Sequence, residues 1–444
     1  MTIIAPSLTT VSRAYKYRLK PTPSLQAHIG AQLNANRFVW NHLLGLIVSE
    51  FEARRASIAN GLTPDYIDYS ANRLSKLLTD LKAGNLWLYN HSSTALQQTV
   101  IRLHKAFTAT FSRYKATQRM HMPRFKSRYD MPGSFEIAGL GSIRFTSQTG
   151  LISTAGRSIG CTDLQVVLPK TSESCQIAWT RPLPSVPSSY VVSRDATGRH
   201  YISFRVLVPR VIHYPTTLDI LGIDVGIKSL AIGSNGITLA PPPRLLKKEH
   251  RLQRYQRQMA RRQRAPNQPK SANYIKAQQQ TARLYSRVTH IRTDYVNQAA
   301  MSLVSGHSTV VLEDFNLAFM TSNRHLSKAT QRTLIGRLRQ CITDILERTN
   351  NGLVIVADKL LPSSHICSHC GTKKPNKLSL SDCTWQCHHC YITHDRDFNA
   401  SQVLAKYGRL AIDSLRIKGS PRPIGTIDGP RYRDIRSSYG NLAI

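Results

Sequence analysis

Cys367 to Ala400 reads CSHCGTKKPNKLSLSDCTWQCHHCYITHDRDFNA, and this stretch carries a metal knuckle and an acidic helix start within a few residues of each other. Cys367, Cys370, Cys387 and Cys390 form C-x2-C-x16-C-x2-C. Each pair sits on a tight turn that aims two sulfurs at one point, so the pairs can close a tetrahedral zinc site without a hydrophobic core around it. Four thiolates leave no open coordination position, which makes the expected zinc structural. Two disulfides are the other reading of the same pairs. It fares badly, because the leader MTIIAPSLTTVS has neither a basic start nor a long apolar stretch, and a reducing cytoplasm keeps thiols free for metal. Cys161, Cys175, Cys341, Cys383, His388 and His389 fall outside the pattern and read as ordinary buried or surface residues. Directly after the knuckle, Asp397 stands at the start of a helical pattern running from Phe398 to Tyr407, where the helix dipole favours an anion. On local grounds alone it reads as an N-cap.

The composition tells what the module serves. Sixty Lys and Arg against 25 Asp and Glu give a formal charge of +35 and a pI near 10.3. That excess is far beyond what solubility needs and calls for a polyanion, nucleic acid first of all. A membrane surface is the alternative, but no apolar stretch approaches the roughly 18 residues of a spanning helix and no lipidation motif is evident. With 444 residues and 41% hydrophobic content, the chain supports about two to four modules with real cores.

Ala14 to Lys20 alternates Tyr15, Tyr17 and Leu19 with Lys16, Arg18 and Lys20, the pattern of a strand with one buried and one basic face. After Pro21 and Pro23, Ser24 is the expected cap of a helix that places Leu25, Ile29, Leu33, Trp40 and Leu43 largely on one side. Helical patterns continue with breaks to about Thr117. From Met122 to about Arg210 short β-branched runs (GSIRF, LQVVLP, YVVS, YISFRVLVP) indicate a small barrel or sandwich that the first strand joins. Two basic stretches stand out. Arg102 to Arg128 holds eight Lys or Arg and no acid, interleaved with Phe107, Phe111, Tyr114 and Phe125, a mixture suited to phosphate contact and base stacking, with half of the aromatics expected in the core. Arg244 to Arg292 sets fourteen basic residues against the single acid Glu249 in a helical pattern interrupted near Ala265 to Pro269. Such a run is often only a solvated face; inserted in a catalytic domain, it is read as a nucleic-acid contact.

Two further carboxylates follow apolar strands. LDILGIDVGIKSLAIGSNG puts Asp224 at a strand end, with Gly226 permitting a turn into a second strand from Ser229 to Ile232; STVVLEDFNL buries Val and Leu and then presents Glu313. Alone, each is unremarkable, and an Asp after a strand is more often a turn former. Their order is what matters: strand carboxylate, basic helical insert, strand carboxylate, cysteine knuckle, helix-start carboxylate.

That order, with the blocks AYKYRLKPT, RFVWNHLL, MPRFKSRYDMPGSFEI, GIDVGIKSLA, VVLEDFNL, PSSHICSHCG and DRDFNAS, resembles the TnpB family of transposon-borne RNA-guided nucleases, relatives of Cas12 effectors. The resemblance covers nearly the whole chain. It implies a multidomain α+β fold: an N-terminal wedge-like β-barrel with an inserted helical bundle, then a RuvC, RNase H-like α/β nuclease domain with an inserted C4 zinc knuckle. The boundaries expected are 1–23 for a leader and first barrel strand, 24–120 helical, 121–212 barrel, 213–365 the leading segment of the nuclease domain with a basic helical insert at 244–304, 366–391 knuckle, 392–418 the closing segment of the nuclease domain, and 419–444 a flexible tail. It further implies that Asp224, Glu313 and Asp397 are the catalytic triad, preferred over Asp395 because the family's carboxylate stands two residues before an Asn, here Asn399. Carboxylates suit hard Mg2+ or Mn2+, and two such ions about 3.5 to 4 Å apart both activate water and relieve leaving-group charge; Asp224 would bridge them, with Glu313 and Asp397 on either side. The implied partners are a guide RNA from the transposon end and double-stranded target DNA beside a short adjacent motif, for a monomer acting in a prokaryotic cytoplasm at the nucleoid.

Three positions depart from the common family text: Cys383 where Arg is usual, Tyr391 where Gly is usual after the last cysteine, and Ser401 where Ala is common. The first adds a thiol near the metal and the second loses a residue suited to positive φ. Competing functions are a guided repressor that has lost cleavage, a dimeric junction resolvase and a strand-joining DDE transposase. An intact triad argues against the first, and the long N-terminal region with the knuckle against the second. Copurifying RNA would separate the guided readings from the other two.

Overall fold

The computed structural model describes residues 9–63, 66–127, 133–139, 144–147, 150–152, 164–210, 219–226, 229–240, 242–265, 268–314, 334–349, 352–375, 378, 382–417 and 425–434. Residues 1–8 of the leader, Cys161, Arg128, residue 418 and residues 419–424 and 435–444 of the expected tail lie outside them. Two compact units emerge, Thr9–Pro209 and a second beginning at Arg210.

The first unit opens with β1 (Thr9–Lys20), whose Tyr17 and Leu19 are buried and whose Lys16, Arg18 and Lys20 are exposed. Helix α1 (Pro23–Ala59) follows, and its cap is Thr22 rather than the expected Ser24: the Thr22 hydroxyl accepts from the Leu25 amide at 3.2 Å. Pro23 then takes the first helical position, where its missing N–H costs nothing. Leu25 and Ile29 enter the core of the sheet, whereas Val39, Leu43 and Ile47 enter a separate helical core with α2 (Ala71–Ala83) and α3 (Ser93–Thr117). Seven more strands complete the unit: β2 (Gly133–Ala138), β3 (Arg144–Ser147), β4 (Gly150–Ile152), β5 (Gln165–Val167), β6 (Ser174–Ala178), β7 (Pro187–Arg194) and β8 (His200–Arg210).

The eight strands form one sheet in the order β2-β7-β8-β1-β6-β5-β3-β4, so the first strand does belong to it. Phe145 on β3 and Phe204 on β8 stand four strands apart, about 19 Å in a flat sheet. Their ring centroids are 5.6 Å apart. The sheet therefore curls until its inner faces share one core.

In the second unit β9 (Ile220–Asp224), β10 (Ala231–Gly233) and β11 (Thr238–Leu239) form an antiparallel meander, followed by α4 (Pro243–Arg261), α5 (Ala272–Val304), β12 (Thr309–Leu312), α6 (Ile335–Thr349) and β13 (Leu353–Val356). A short ribbon of β14 (Thr384–Gln386) and β15 (Thr393–Asp395), helix α7 (Arg396–Ile417) and β16 (Gly425–Asp428) close it. The sheet order is β11-β10-β9-β12-β13-β16, with β9, β12, β13 and β16 parallel. Alternate residues of β12 serve opposite faces: Val310 and Leu312 pack on α5 and α6, and Val311 packs on α7. Both β12 and β13 are buried throughout, as a parallel sheet covered by helices requires.

Two expectations need correction here. The helix expected from Phe398 to Tyr407 runs from Arg396 to Ile417, because its apolar face continues through Leu410, Ala411 and Ile412 onto the sheet. The expected flexible tail is structured over 425–434: β16 pairs in parallel with β13, and the Tyr432 amide donates to Asp358 at 2.7 Å while its ring packs on the core around α7. A four-residue parallel strand is too short to show a period, so its partner rather than its own pattern orders it.

Candidate functional site

The register of the second sheet brings two of the three acids side by side. Leu312 pairs with Ile223 across parallel strands, so Glu313 and Asp224, one residue further on each, emerge together at the C-terminal edge on strands about 4.8 Å apart. Ligand sites in open α/β sheets form at this edge. Helix α7 brings the third acid, with Asp397 in its first turn.

The electrostatics record the meeting. Burial and then the Glu313 and Asp397 carboxylates push Asp224 well above the usual carboxylate range, with Arg396 opposing. Glu313 is raised as well, first by burial and also by Asp397, against a hydrogen bond it accepts from the Ser363 hydroxyl. Both acids keep some of their surface accessible while protein surrounds them on most sides. Like charges held this way need protons or cations. Arg396 Nε lies 3.0 Å from Asp397 Oδ1, supplying one permanent positive charge.

Asp395, the competitor for the third position, has a different task. Its Oδ1 accepts from the Phe398 amide at 2.9 Å, three residues on, the geometry of an N-cap. Asp397 is thus released from the capping role that its local sequence offered it.

The four cysteines of the knuckle gather with their sulfurs within 4.8 Å of one another. Cys367 and Cys390 sulfurs are 3.5 Å apart, and Cys370 and Cys387 sulfurs 3.6 Å apart. Zinc bound tetrahedrally at 2.3 Å sets sulfur–sulfur edges of about 3.8 Å, so the cluster fits that ion. Among the described residues no other Cys, His, Asp or Glu group is gathered so tightly. Cys383 is exposed and outside the cluster, Cys175 is buried in the first unit, Cys341 is half-buried on α6, and His388 and His389 are exposed.

Three supporting residues carried no visible signal. Ser363 is buried beneath Glu313. His394, also buried, places Nε2 3.0 Å from Cys367 Sγ. Asn399, which served in the sequence only as a landmark for Asp397, accepts from the Ser368 amide at 2.8 Å and donates to the Ile366 carbonyl at 2.7 Å. It fastens the first cysteine turn to the helix that carries Asp397.

The basic stretches also resolve. Phe107 and Phe111 belong to the helical core, whereas Tyr114 and Phe125 are exposed. Helices α4 and α5 pair through Leu245, Leu252, Leu284 and Val288, and Glu249 is buried against Arg292. A cleft of about 690 Å³ between them is lined by His250, Arg251, Arg254, Arg262 and Lys276, with no acid in its wall.

Known proteins resemble this chain over most of its length. Residues 203–324 match the OrfB family of IS605-type elements, described as "Probable transposase", and residues 336–404 match "Cas12f1-like, TNB domain". Residues 10–55 match a family described as "Helix-turn-helix domain", although here they form one strand and one unbroken helix. A Streptomyces pristinaespiralis protein named "Putative RNA-guided DNA endonuclease" is 31% identical over 90% of both chains. An Escherichia coli K12 protein named "Putative RNA-guided DNA endonuclease InsQ" is 24% identical over 93% of this chain and 96% of its own. Among solved structures, a Cas12f1-sgRNA-target DNA complex aligns with 88% of this chain and 98% of its own at a TM-score of 0.46 and 13% identity.

Proposed function

This chain belongs to the TnpB family of transposon-encoded RNA-guided DNA endonucleases, and we propose that it hydrolyses guide-matched DNA beside a short motif by a two-metal RuvC mechanism. The observation that carries this is the convergence of Asp224, Glu313 and Asp397 from a strand, a second strand and a helix onto one sheet edge, where Asp224 feels both others. The mixed sheet, with its antiparallel meander and parallel half, supports an RNase H-like reading of this unit. The curled eight-stranded sheet supports the reading of the first unit as the barrel.

Asp224, Glu313 and Asp397 would hold two Mg2+ or Mn2+ ions, with Asp224, the acid that feels both others, as the ligand they would share. Bound there, such ions supply an activated water and relieve charge on the leaving oxygen. The chain's own groups do the positioning. Ser363 holds one Glu313 oxygen and fixes its carboxylate plane; Arg396 holds Asp397; the Asp395 cap keeps the first turn of α7 wound beneath it. The zinc knuckle is structural, and through Asn399 it steadies that same turn.

Sequence choice belongs to base pairing, with the protein gripping the heteroduplex by shape and phosphate charge. The acid-free cleft between α4 and α5 is the contact we assign to the second basic stretch. No helix of the described residues is long and apolar enough to cross a membrane. We place the activity in a prokaryotic cytoplasm on nucleoid DNA, as a monomer with one guide.

The test is to express the protein with its flanking element DNA, sequence any copurifying RNA and challenge the complex with Mg2+ and a guide-matched plasmid library. RNA together with cutting that Asp224→Ala abolishes is the expected result. RNA and tight target binding without cutting would make the protein a guided repressor, and absence of RNA would undo the reading.

A further inference from the structure

Residues 121–127 form an extended strap without regular secondary structure, laid along α1 and α3. Side-chain hydrogen bonds from both helices hold it. Thr110 donates its hydroxyl to the His121 carbonyl at 3.1 Å, and Trp40 donates Nε1 to the Arg124 carbonyl at 3.0 Å. The Asn41 side chain then treats Lys126 as a strand partner, donating to its carbonyl at 2.8 Å and accepting from its amide at 2.7 Å. Lys126 Nζ also lies 3.8 Å from the centroid of the Trp40 ring. The strap is therefore rigid in a segment that secondary structure leaves unsupported.

What the strap holds out is unusual. Phe125 lies between the two bolted residues and is 56% exposed. One edge of its ring rests on α1, where a Cβ on Gly45 would lie 3.8 Å from Cε1. The ring is thus backed by helix and open to solvent elsewhere. An isolated exposed Phe needs no explanation; here Met122 of the same strap packs on the helical core, whereas Phe125, fixed on the same bolted backbone, stays largely outside it. The segment that carries it is basic: Arg124 beside it is exposed, and no acid occurs anywhere from Arg102 to Arg128.

We propose that Phe125 is a stacking platform for an unpaired nucleobase, with Arg124 against the adjoining phosphate. A flat ring of this kind accepts any base, because every base offers a π-face. The inference rests on the guided-nuclease reading and deepens it, since such an enzyme handles single-stranded nucleic acid twice: in the unpaired regions of the guide, and in the DNA as the target opens.

The two sources separate in one set of measurements on the full chain. Affinity for guide RNA, and affinity of the loaded complex for a matched duplex and for the same target with a pre-opened bubble, are compared for wild type, Phe125→Ala and Phe125→Trp. Phe125→Ala is expected to lose about tenfold, the scale of one base stack, in one arm, with Phe125→Trp staying within about twofold. Loss of RNA affinity assigns a guide base. Loss of target affinity with RNA affinity intact assigns a DNA base. Asn41→Ala, which frees the strap but keeps the ring, should weaken the same arm. If Phe125→Ala binds RNA and both targets within about twofold of wild type while the wild-type complex cuts, the platform is wrong and the nuclease stands. A wild-type protein that carries no RNA sinks both.

Discussion

A Cβ on Gly222 would lie 2.0 Å from the carbonyl oxygen of Ser401 and 2.5 Å from the Ala405 amide nitrogen, so β9 and α7 meet backbone to backbone. From this contact Asp224 is two strand residues away and Asp397 is one helical turn away. Both steps measure about 6 to 7 Å. The two carboxylates therefore come level because the helix lies directly on the strand, and any side chain at position 222 would lift one from the other.

Gly222→Ala should destabilise the protein by about 3 kcal/mol, the upper end of the overpacking range, because backbone cannot rotate out of the way. Gly408→Ala is the comparison. Its Cβ would meet Val311 Cγ2 at 2.4 Å and Ile220 Cγ2 at 3.1 Å, and those side chains can shift. Thermal unfolding should rank Gly222→Ala well below Gly408→Ala, and cleavage should fail first in the former. Equal melting points would mean that the close contact does not set the site.

Asp224→Asn should abolish cutting and yet raise the melting temperature of the metal-free protein at neutral pH. Folding raises the Asp224 pKa through burial and through repulsion by Glu313 and Asp397. The folded state then binds more protons than the unfolded one, and stability is lost as pH rises from the ordinary carboxylate range through the folded pKa. Asn resembles the protonated form and removes that loss. The gain should shrink in acid, where wild-type Asp224 is itself protonated, and a melting series across pH without divalent ions checks it.

Much of this arrangement is legible in the chain because apolar strands that end in an acid announce themselves. LDILGID and STVVLED needed only the sheet to bring Asp224 and Glu313 together. The choice between Asp395 and Asp397 was different: each sits near a helix start, and only the Asp395 bond to the Phe398 amide assigns the cap. Ser363 was invisible because a serine in a turn says nothing about which strand end lies above it. The strand Gly425–Asp428 was missed since its order is lent by β13. Thr22 displaced Ser24 as a cap because Pro23 suits the first helical turn.

Wild-type protein should carry one zinc per chain, measured by elemental analysis after extensive dialysis. Cys387→Ser should lose it, since Cys387 is buried in the four-sulfur cluster. Cys383→Ser should keep it, because that thiol is exposed and apart. Loss of the knuckle should also loosen the Asn399 bonds to Ile366 and Ser368, so Cys387→Ser should show faster hydrogen exchange across the first turn of α7. A zinc content that falls in Cys383→Ser would overturn the ligand assignment.

The two cysteine turns are near copies, and they differ at one position that matters. Gly371 donates its amide to the Cys367 carbonyl at 2.9 Å with φ of 70°, and Tyr391 donates to the Cys387 carbonyl at 2.9 Å with φ of 59°. Glycine adopts this left-handed conformation freely, whereas a residue with a Cβ loses about 1 to 2 kcal/mol by it. Tyr391 is 72% exposed and so recovers little by packing. Tyr391→Gly should therefore stabilise the zinc-loaded knuckle by about 1 kcal/mol, while Gly371→Ala should destabilise the opposite turn by a similar amount. Competition for zinc against a chromophoric chelator reads both, each as a shift of about fivefold in zinc affinity. If Tyr391→Gly instead weakens zinc binding, the tyrosine ring contributes a contact that outweighs its backbone strain.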